Sequence, residues 1–255
     1  MSGIPLQPGI IYGPIFSRRL GRSLGVNVLP ANRKVCSFDC IYCQYGATHE
    51  LDLEPTRSAL PKPGEVFNAV EKALKKPRSM DYLTFSGNGE ATIHPDFPEI
   101  VRGVREIKDR LRPDVKLAIL SNSSKASDPE VAAALRLIDM PMMKLDAGDE
   151  LTFQAINHAA PKLRLAEILE GLKRLPTLVI QSVLIDGPIN NIHGDSYESW
   201  ATALAGLKPE MIHIYSTERP TATSEVACVP PAKLSAVAED LRHRFGLNVR
   251  AYWRE

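Results

Sequence analysis

Three of the four cysteines in this 255-residue chain, Cys36, Cys40 and Cys43, lie within eight positions, in the stretch VCSFDCIYCQYG; Cys228 stands apart. Thiolates bind soft metals and act as nucleophiles, so three together call for a chemical role. Three readings meet the C-x3-C-x2-C spacing. On a helix, positions i, i+4 and i+7 share a face, and free cysteine packs as a small hydrophobe. Against this, Ser37, Phe38, Ile41 and Tyr42 interleave with the thiols and Gly46 follows closely, which is poor helix material. A structural zinc site needs a fourth ligand, usually from a second paired knuckle, and only His49 is near. An iron–sulfur cluster ordinarily takes four cysteines, so three would leave one iron open to a further ligand.

Other candidate residues follow the β-rich runs. Glu90 ends the turn SGNGE, where Gly87 and Gly89 flank Asn88 and let backbone approach a ligand closely. Its carboxylate either accepts from an ammonium group or is an ordinary turn residue. Ser121 and Asn122 either hydrogen-bond a ligand or turn the chain. Lys144 and Asp146, two apart on an expected strand, face one side, where burial without a partner is costly. Arg219 either clamps a carboxylate or phosphate or is an exposed loop residue.

Composition allows a sizeable core: 44% of residues are hydrophobic and 24% charged, ordinary values for a water-soluble chain. The first residues show no positive segment leading into an apolar one, so no signal peptide is expected, and no apolar run is long enough for a bilayer. The expectation is a cytoplasmic protein with reduced thiols, in which clustered cysteines serve metal binding or catalysis rather than disulfides. Of 31 Lys and Arg, five fall in residues 1–38, which contain no Asp or Glu; the other 26 face all 30 acidic residues. That basic leader is either an attraction for an anionic substrate or acidic partner, or a locally biased solvated surface.

These residues need a frame, and the pattern supplies one. Strands are expected at 23–29, 82–86, 115–120, 142–146, 178–185 and 211–215, with a last short one at 248–253. Between them, apolar residues recur with helical period over 65–76 and 96–111, and at Leu165–Leu172, Tyr197–Leu207 and Leu234–Phe245. In SDPE, Asp128 caps a helix with Pro129 in its first turn. Strand–helix alternation means βαβ units and a mostly parallel sheet, open or curled into part of a barrel. The polar turns named above then collect at the carboxyl ends of the strands, where α/β proteins place their sites.

The cysteine motif, with Tyr42 just before its last thiol, resembles the signature of the radical S-adenosylmethionine (SAM) superfamily. TFSGNGE at 84–90, LSNSS at 120–124 and KLDAG at 144–148 resemble its later motifs in order and spacing, over about residues 20–220. The resemblance implies an α/β fold, a partial (β/α)6 TIM-like barrel with mostly parallel strands. It implies one radical SAM domain over 1–255, with residues 221–255 adding a C-terminal helix and short strand.

It further implies a [4Fe–4S] cluster on Cys36, Cys40 and Cys43, with SAM chelating the fourth iron. The SAM contacts carried over are Tyr42, Gly87, Asn88, Gly89, Glu90, Ser121, Asn122, Lys144 and Asp146, with Arg219 toward the substrate. Reductive cleavage would give methionine and a 5′-deoxyadenosyl radical that takes hydrogen from a substrate. The electron would come from a low-potential donor such as flavodoxin or ferredoxin. YGPIFSRRLGRSLGVNVLP, KLDAGDELTFQAIN and IYSTERPTA resemble the group related to tRNA wyosine-base synthases. Residues 1–35 depart from that group, having no cysteines for its second cluster. A glycyl-radical-enzyme activase and a tRNA-base-modifying enzyme, both with macromolecular substrates, are the enzymatic alternatives; a structural metal-binding protein is the non-enzymatic one.

Overall fold

The computed structural model describes residues 4–218, 221, 223 and 226–254. It opens with a hairpin, β1 (Ile11–Ser17) antiparallel to β2 (Gly21–Val26). The cysteine segment follows, with the two-residue strands β3 (Val35–Cys36) and β4 (Glu50–Leu51) paired in parallel. Then come α1 (Pro63–Leu74), β5 (Tyr82–Phe85), α2 (Phe97–Leu111), β6 (Lys116–Ser121), α3 (Pro129–Leu135) and β7 (Met140–Lys144). Helices α4 (Glu150–Asn157) and α5 (Leu165–Lys173) lead to β8 (Val179–Asp186), and α6 (Gly194–Leu207) to β9 (Met211–Ser216). Short β10 (Ala227–Cys228), α7 (Pro231–Phe245) and β11 (Val249–Tyr252) complete the order.

The main sheet runs β1-β2-β5-β6-β7-β8-β9-β11, parallel throughout except for β1, with β10 antiparallel on β8. It curls into a half-barrel, the α/β architecture that the strand–helix alternation implies. Each expected strand is present. The fourth lies two residues earlier than expected, so Asp146 belongs to the turn after β7 rather than to the strand. Asp128 accepts from the backbone of Glu130 and Val131 at the start of α3. The sequence pattern left β1, α4 and the two-residue strands β3, β4 and β10 unmarked. β1 exposes most of its residues and has no alternation, so only its pairing with β2 makes it a strand. α4 has eight residues, too few for a periodic signal.

Alternation along the strands sorts the core. One face, with Leu83, Phe85, Leu117, Ile119, Ile180 and Ile212 all at 0% exposure, packs beneath the helices. Each such burial contributes about 1.5–3 kcal/mol. On the inner face Ala118, Met142 and Val179 form an apolar floor with Leu20, inserted from the β1–β2 turn. Above that floor the inner face is polar. No helix among the described residues is long and apolar enough to cross a membrane.

Candidate functional site

The cysteine segment has almost no regular structure of its own. Cys36 ends β3, and residues 37–46 are bends, turns and an isolated bridge, so the thiols do not form a helical stripe. The segment is held from both sides. On one side the Val35 N–H donates to the Asn88 carbonyl at 3.0 Å, and the Glu90 N–H to the Val35 carbonyl at 3.2 Å. On the other, the N–H groups of Asp39 and Ile41 donate to the carbonyls of Asn157 and Ile156, both at 3.0 Å, and Ala160 N–H donates to the Ser37 carbonyl at 2.9 Å. Phe38 packs edge-on against Phe153 of α4, with ring centroids 5.4 Å apart.

Two of the sulfurs receive amide donors. Asn122 Nδ2 lies 3.6 Å from Cys36 Sγ, and Asn157 Nδ2 lies 3.4 Å from Cys40 Sγ. The buried Lys34 donates from Nζ to the Gly46 carbonyl at 2.8 Å and places its charge beside all three thiols. Burial pushes the Cys36 thiol far up and Cys40 up to about 11, with Lys34 and Lys144 respectively opposing the shift. Without metal these two thiols hold their protons near neutrality, so metal binding releases them.

Asp146 is the centre of a second network. Its Oδ1 accepts from the Val183 N–H at 2.8 Å; Oδ2 accepts from Tyr42 Oη and from Asn157 Nδ2 at 3.0 Å. Lys144 Nζ lies 3.6 Å from Oδ2 and 5.0 Å from the centre of the Tyr42 ring. The Lys144–Asp146 pair expected on one strand therefore forms across the end of β7. Burial, then Asp146, raises the Tyr42 phenol well above its ordinary value and keeps it a hydrogen-bond donor.

The turn after β5 is occupied by the protein itself. Glu90 is 2% exposed, and its carboxylate accepts from Thr92 N–H at 3.0 Å, Thr92 Oγ1 at 2.7 Å, Ser121 Oγ at 2.9 Å and Asn122 N–H at 2.5 Å. It bolts the turn after β5 to the turn after β6. Asn88 spends its amide on Gln7 and Pro30. Gly87 and Gly89 have φ of +137° and +143°, and a Cβ on Gly89 would lie 1.7 Å from the Val35 carbonyl oxygen.

A cavity of about 770 Å3 opens beside this assembly, inside the half-barrel. Of the residues singled out in the sequence, Tyr42, Cys43 and Lys144 line it; Cys36, Cys40, Gly87, Asn88, Gly89, Glu90, Ser121, Asn122 and Asp146 do not. Arg219 lies outside the described residues. Asn157 had no expected role, although it closes the quoted segment KLDAGDELTFQAIN. Tyr12, Thr84 and Ser86 also line the cavity; they lie inside the quoted segments YGPIFSRRLGRSLGVNVLP and TFSGNGE but had no expected role of their own.

This donor set fits a cluster held at three corners: three thiols on one loop, amide donors on two sulfurs and a buried cation near all three. Among the described residues no three His, Cys, Asp or Glu side chains converge on a single ion. A tetrahedral zinc site requires that convergence, whereas a cubic cluster spreads its thiolates over separate irons.

The Radical SAM superfamily model matches residues 34–199. The chain is 33% identical over 228 residues to the UPF0026 protein MJ1312 of Methanocaldococcus jannaschii, covering 87% of this chain and 67% of that one. Streptococcus suis SuiB bound to S-adenosylmethionine has a TM-score of 0.63 at 13% identity, over 90% of this chain and 50% of SuiB. TYW1 with a lysine-pyruvate adduct has a TM-score of 0.62 at 15% identity, over 89% of this chain and 75% of TYW1. At such identities the likeness is one of fold, and this chain spans only half the length of SuiB. The chain belongs to the radical SAM superfamily, whose members use a [4Fe–4S] cluster and SAM.

Proposed function

We propose that Cys36, Cys40 and Cys43 hold the cluster and that SAM binds in the adjoining cavity, where Tyr42 and Lys144 meet it. The observation that carries this reading is that Cys43 shares the cavity wall with those two residues, while the sulfurs of Cys36 and Cys40 receive amide N–H groups. A reduced cluster held there would supply the electron for reductive cleavage of SAM, the source of a 5′-deoxyadenosyl radical for hydrogen abstraction from a substrate. The protein orients and encloses. Asp146 fixes Tyr42 and Lys144, and the Lys144 ammonium is placed to receive a carboxylate of SAM. The Gly87–Gly89 turn, outside the cavity lining, bonds Asn27 and Val35 through the Asn88 and Glu90 backbone and so supports the cysteine segment. Arg219 is proposed to contact the substrate. A low-potential flavodoxin or ferredoxin is the proposed electron donor, and the cytoplasm the proposed location.

We infer a single domain, because one buried apolar cluster runs from Leu24 to Val249. The motifs on both sides of the barrel favour kinship with the wyosine-base synthase group, without that group's second cluster. Arg18 forks onto Glu218 at 2.6 and 2.7 Å, and the Arg254 N–H donates to the same carboxylate at 2.6 Å. The β1–β2 turn is thereby tied to the segments after β9 and β11. That bridge favours a small molecule, or a single extruded group, over the folded loop that an activase would admit.

Anaerobic reconstitution with iron and sulfide, followed by SAM and dithionite, is expected to yield 5′-deoxyadenosine. Tightly held zinc with no cleavage would instead support the structural metal-binding reading. Asn157→Leu gives a second expectation. An N–H bond to a cluster sulfur stabilises the added electron, so removing it makes the potential more negative. Redox titration followed by electron paramagnetic resonance measures this, and an unchanged potential removes Asn157 from the cluster's surroundings.

A further inference from the structure

We propose that Arg19 is an anion subsite for the substrate, its guanidinium gripping a carboxylate or phosphate group of the molecule that reacts in the cavity. This rests on the reading above that the cavity is the reaction site, and adds to it the charge of what enters.

Arg19 sits in the β1–β2 turn, between neighbours that are already engaged: Arg18 on Glu218, and Leu20 in the apolar floor. Its Nη1 donates to Gln181 Oε1 at 2.6 Å, and its guanidinium carbon lies 4.4 Å from the centre of the Tyr215 ring. Gln181 is itself fixed, since its Nε2 donates to the Met142 carbonyl at 3.0 Å. Neutral groups thus orient the guanidinium, and no carboxylate among the described residues forms an ion pair with it. The guanidinium carries five N–H donors in a planar fork, and Gln181 uses one. The rest suit two oxygens of one carboxylate or phosphate.

Charge balance points the same way. The described cavity wall carries four cationic side chains, Arg18, Arg19, Lys144 and Arg254, and one carboxylate, Glu218. Glu218 is taken by Arg18, and Lys144 is offset by Asp146. Arg19 therefore adds an uncompensated positive charge to a concave, partly dehydrated surface, which is costly until an anion arrives. On the same face of β9 as Tyr215, His213 is 4% exposed, and its Nδ1 has no hydrogen-bond partner among the described residues. A strut that merely pinned the hairpin would need neither an open fork nor this surplus of charge.

The test uses the full chain with its cluster reconstituted, titrated calorimetrically with inorganic pyrophosphate and, separately, with succinate. Saturable binding of either probe is expected: pyrophosphate alone marks a phosphorylated substrate, succinate alone a carboxylate. Arg19→Gln is expected to weaken it about tenfold or more, the loss of a charge-assisted contact. Arg22→Gln, at an exposed arginine paired with Asp81, is expected to leave it unchanged. Phenylglyoxal labelling of the unaltered chain, mapped by peptide mass spectrometry, needs no variant and should show Arg19 shielded by the probe. The proposal is overturned if neither anion binds, if a cooperatively melting Arg19→Gln chain binds as well as the original, if Arg19 is not shielded, or if SAM displaces the probe one for one. SAM cleavage by the unaltered chain is scored separately, so its absence sinks the proposed reaction and leaves the anion result standing.

Discussion

Replacing Cys43 with alanine is expected to reduce 5′-deoxyadenosine formation to background and to cut the iron and sulfide retained after reconstitution. One thiolate of the three proposed to hold the cluster is lost. Lys34 lies within hydrogen-bonding reach of Cys43, so the substitution leaves that ammonium facing two thiols rather than three. Cys43 is half-buried, and truncating it costs about 1 kcal/mol of stability, little enough for the variant to melt cooperatively. Cys228→Ala, at an exposed position, is the matched control and is expected to keep full iron content and activity. An active Cys43→Ala chain would remove the cluster from this loop.

Gly89→Ala is expected to be as damaging although it deletes no ligand. The added methyl would sit 1.7 Å from the Val35 carbonyl oxygen and 2.6 Å from its carbon, at a φ of +143°. Both atoms are backbone, so relief requires moving Val35, and Cys36 with it. Positive φ and overpacking together cost about 3 kcal/mol or more. The urea midpoint should fall and iron incorporation with it. Gly46→Ala separates strain from collision: φ there is +77°, but the new methyl meets nothing within 4 Å. It should cost about 1 kcal/mol and leave iron binding intact. Equal iron loss in both variants would mean that backbone conformation, not the contact with Val35, governs the thiols.

Local chemistry made part of this protein legible. Six βα repeats announce themselves through period and turn residues, and Asp128 and Pro129 mark the start of α3. The three thiols are conspicuous by spacing alone. What escaped depends on tertiary contact. Whether the Asn88 and Glu90 side chains face a ligand or the protein is decided by Gln7, Pro30, Thr92 and Ser121, distant or inconspicuous in the chain. Asn157 reaches Cys40 across 117 positions, and its place at the end of KLDAGDELTFQAIN does not reveal that contact. The basic leader was visible as composition, but only the hairpin's position separates Arg18, ion-paired with Glu218, from Arg19, which has no ion pair among the described residues.

The thiol loop borrows its shape from residues 88–90 on one side and 156–160 on the other. A ribosome delivers those supports well after the cysteines themselves. Until Ala160 has emerged and docked, a nascent chain carries three loose thiols that oxidants can reach and no scaffold can pre-arrange. Loading of the proposed cluster would therefore belong to a late stage of this protein's biogenesis.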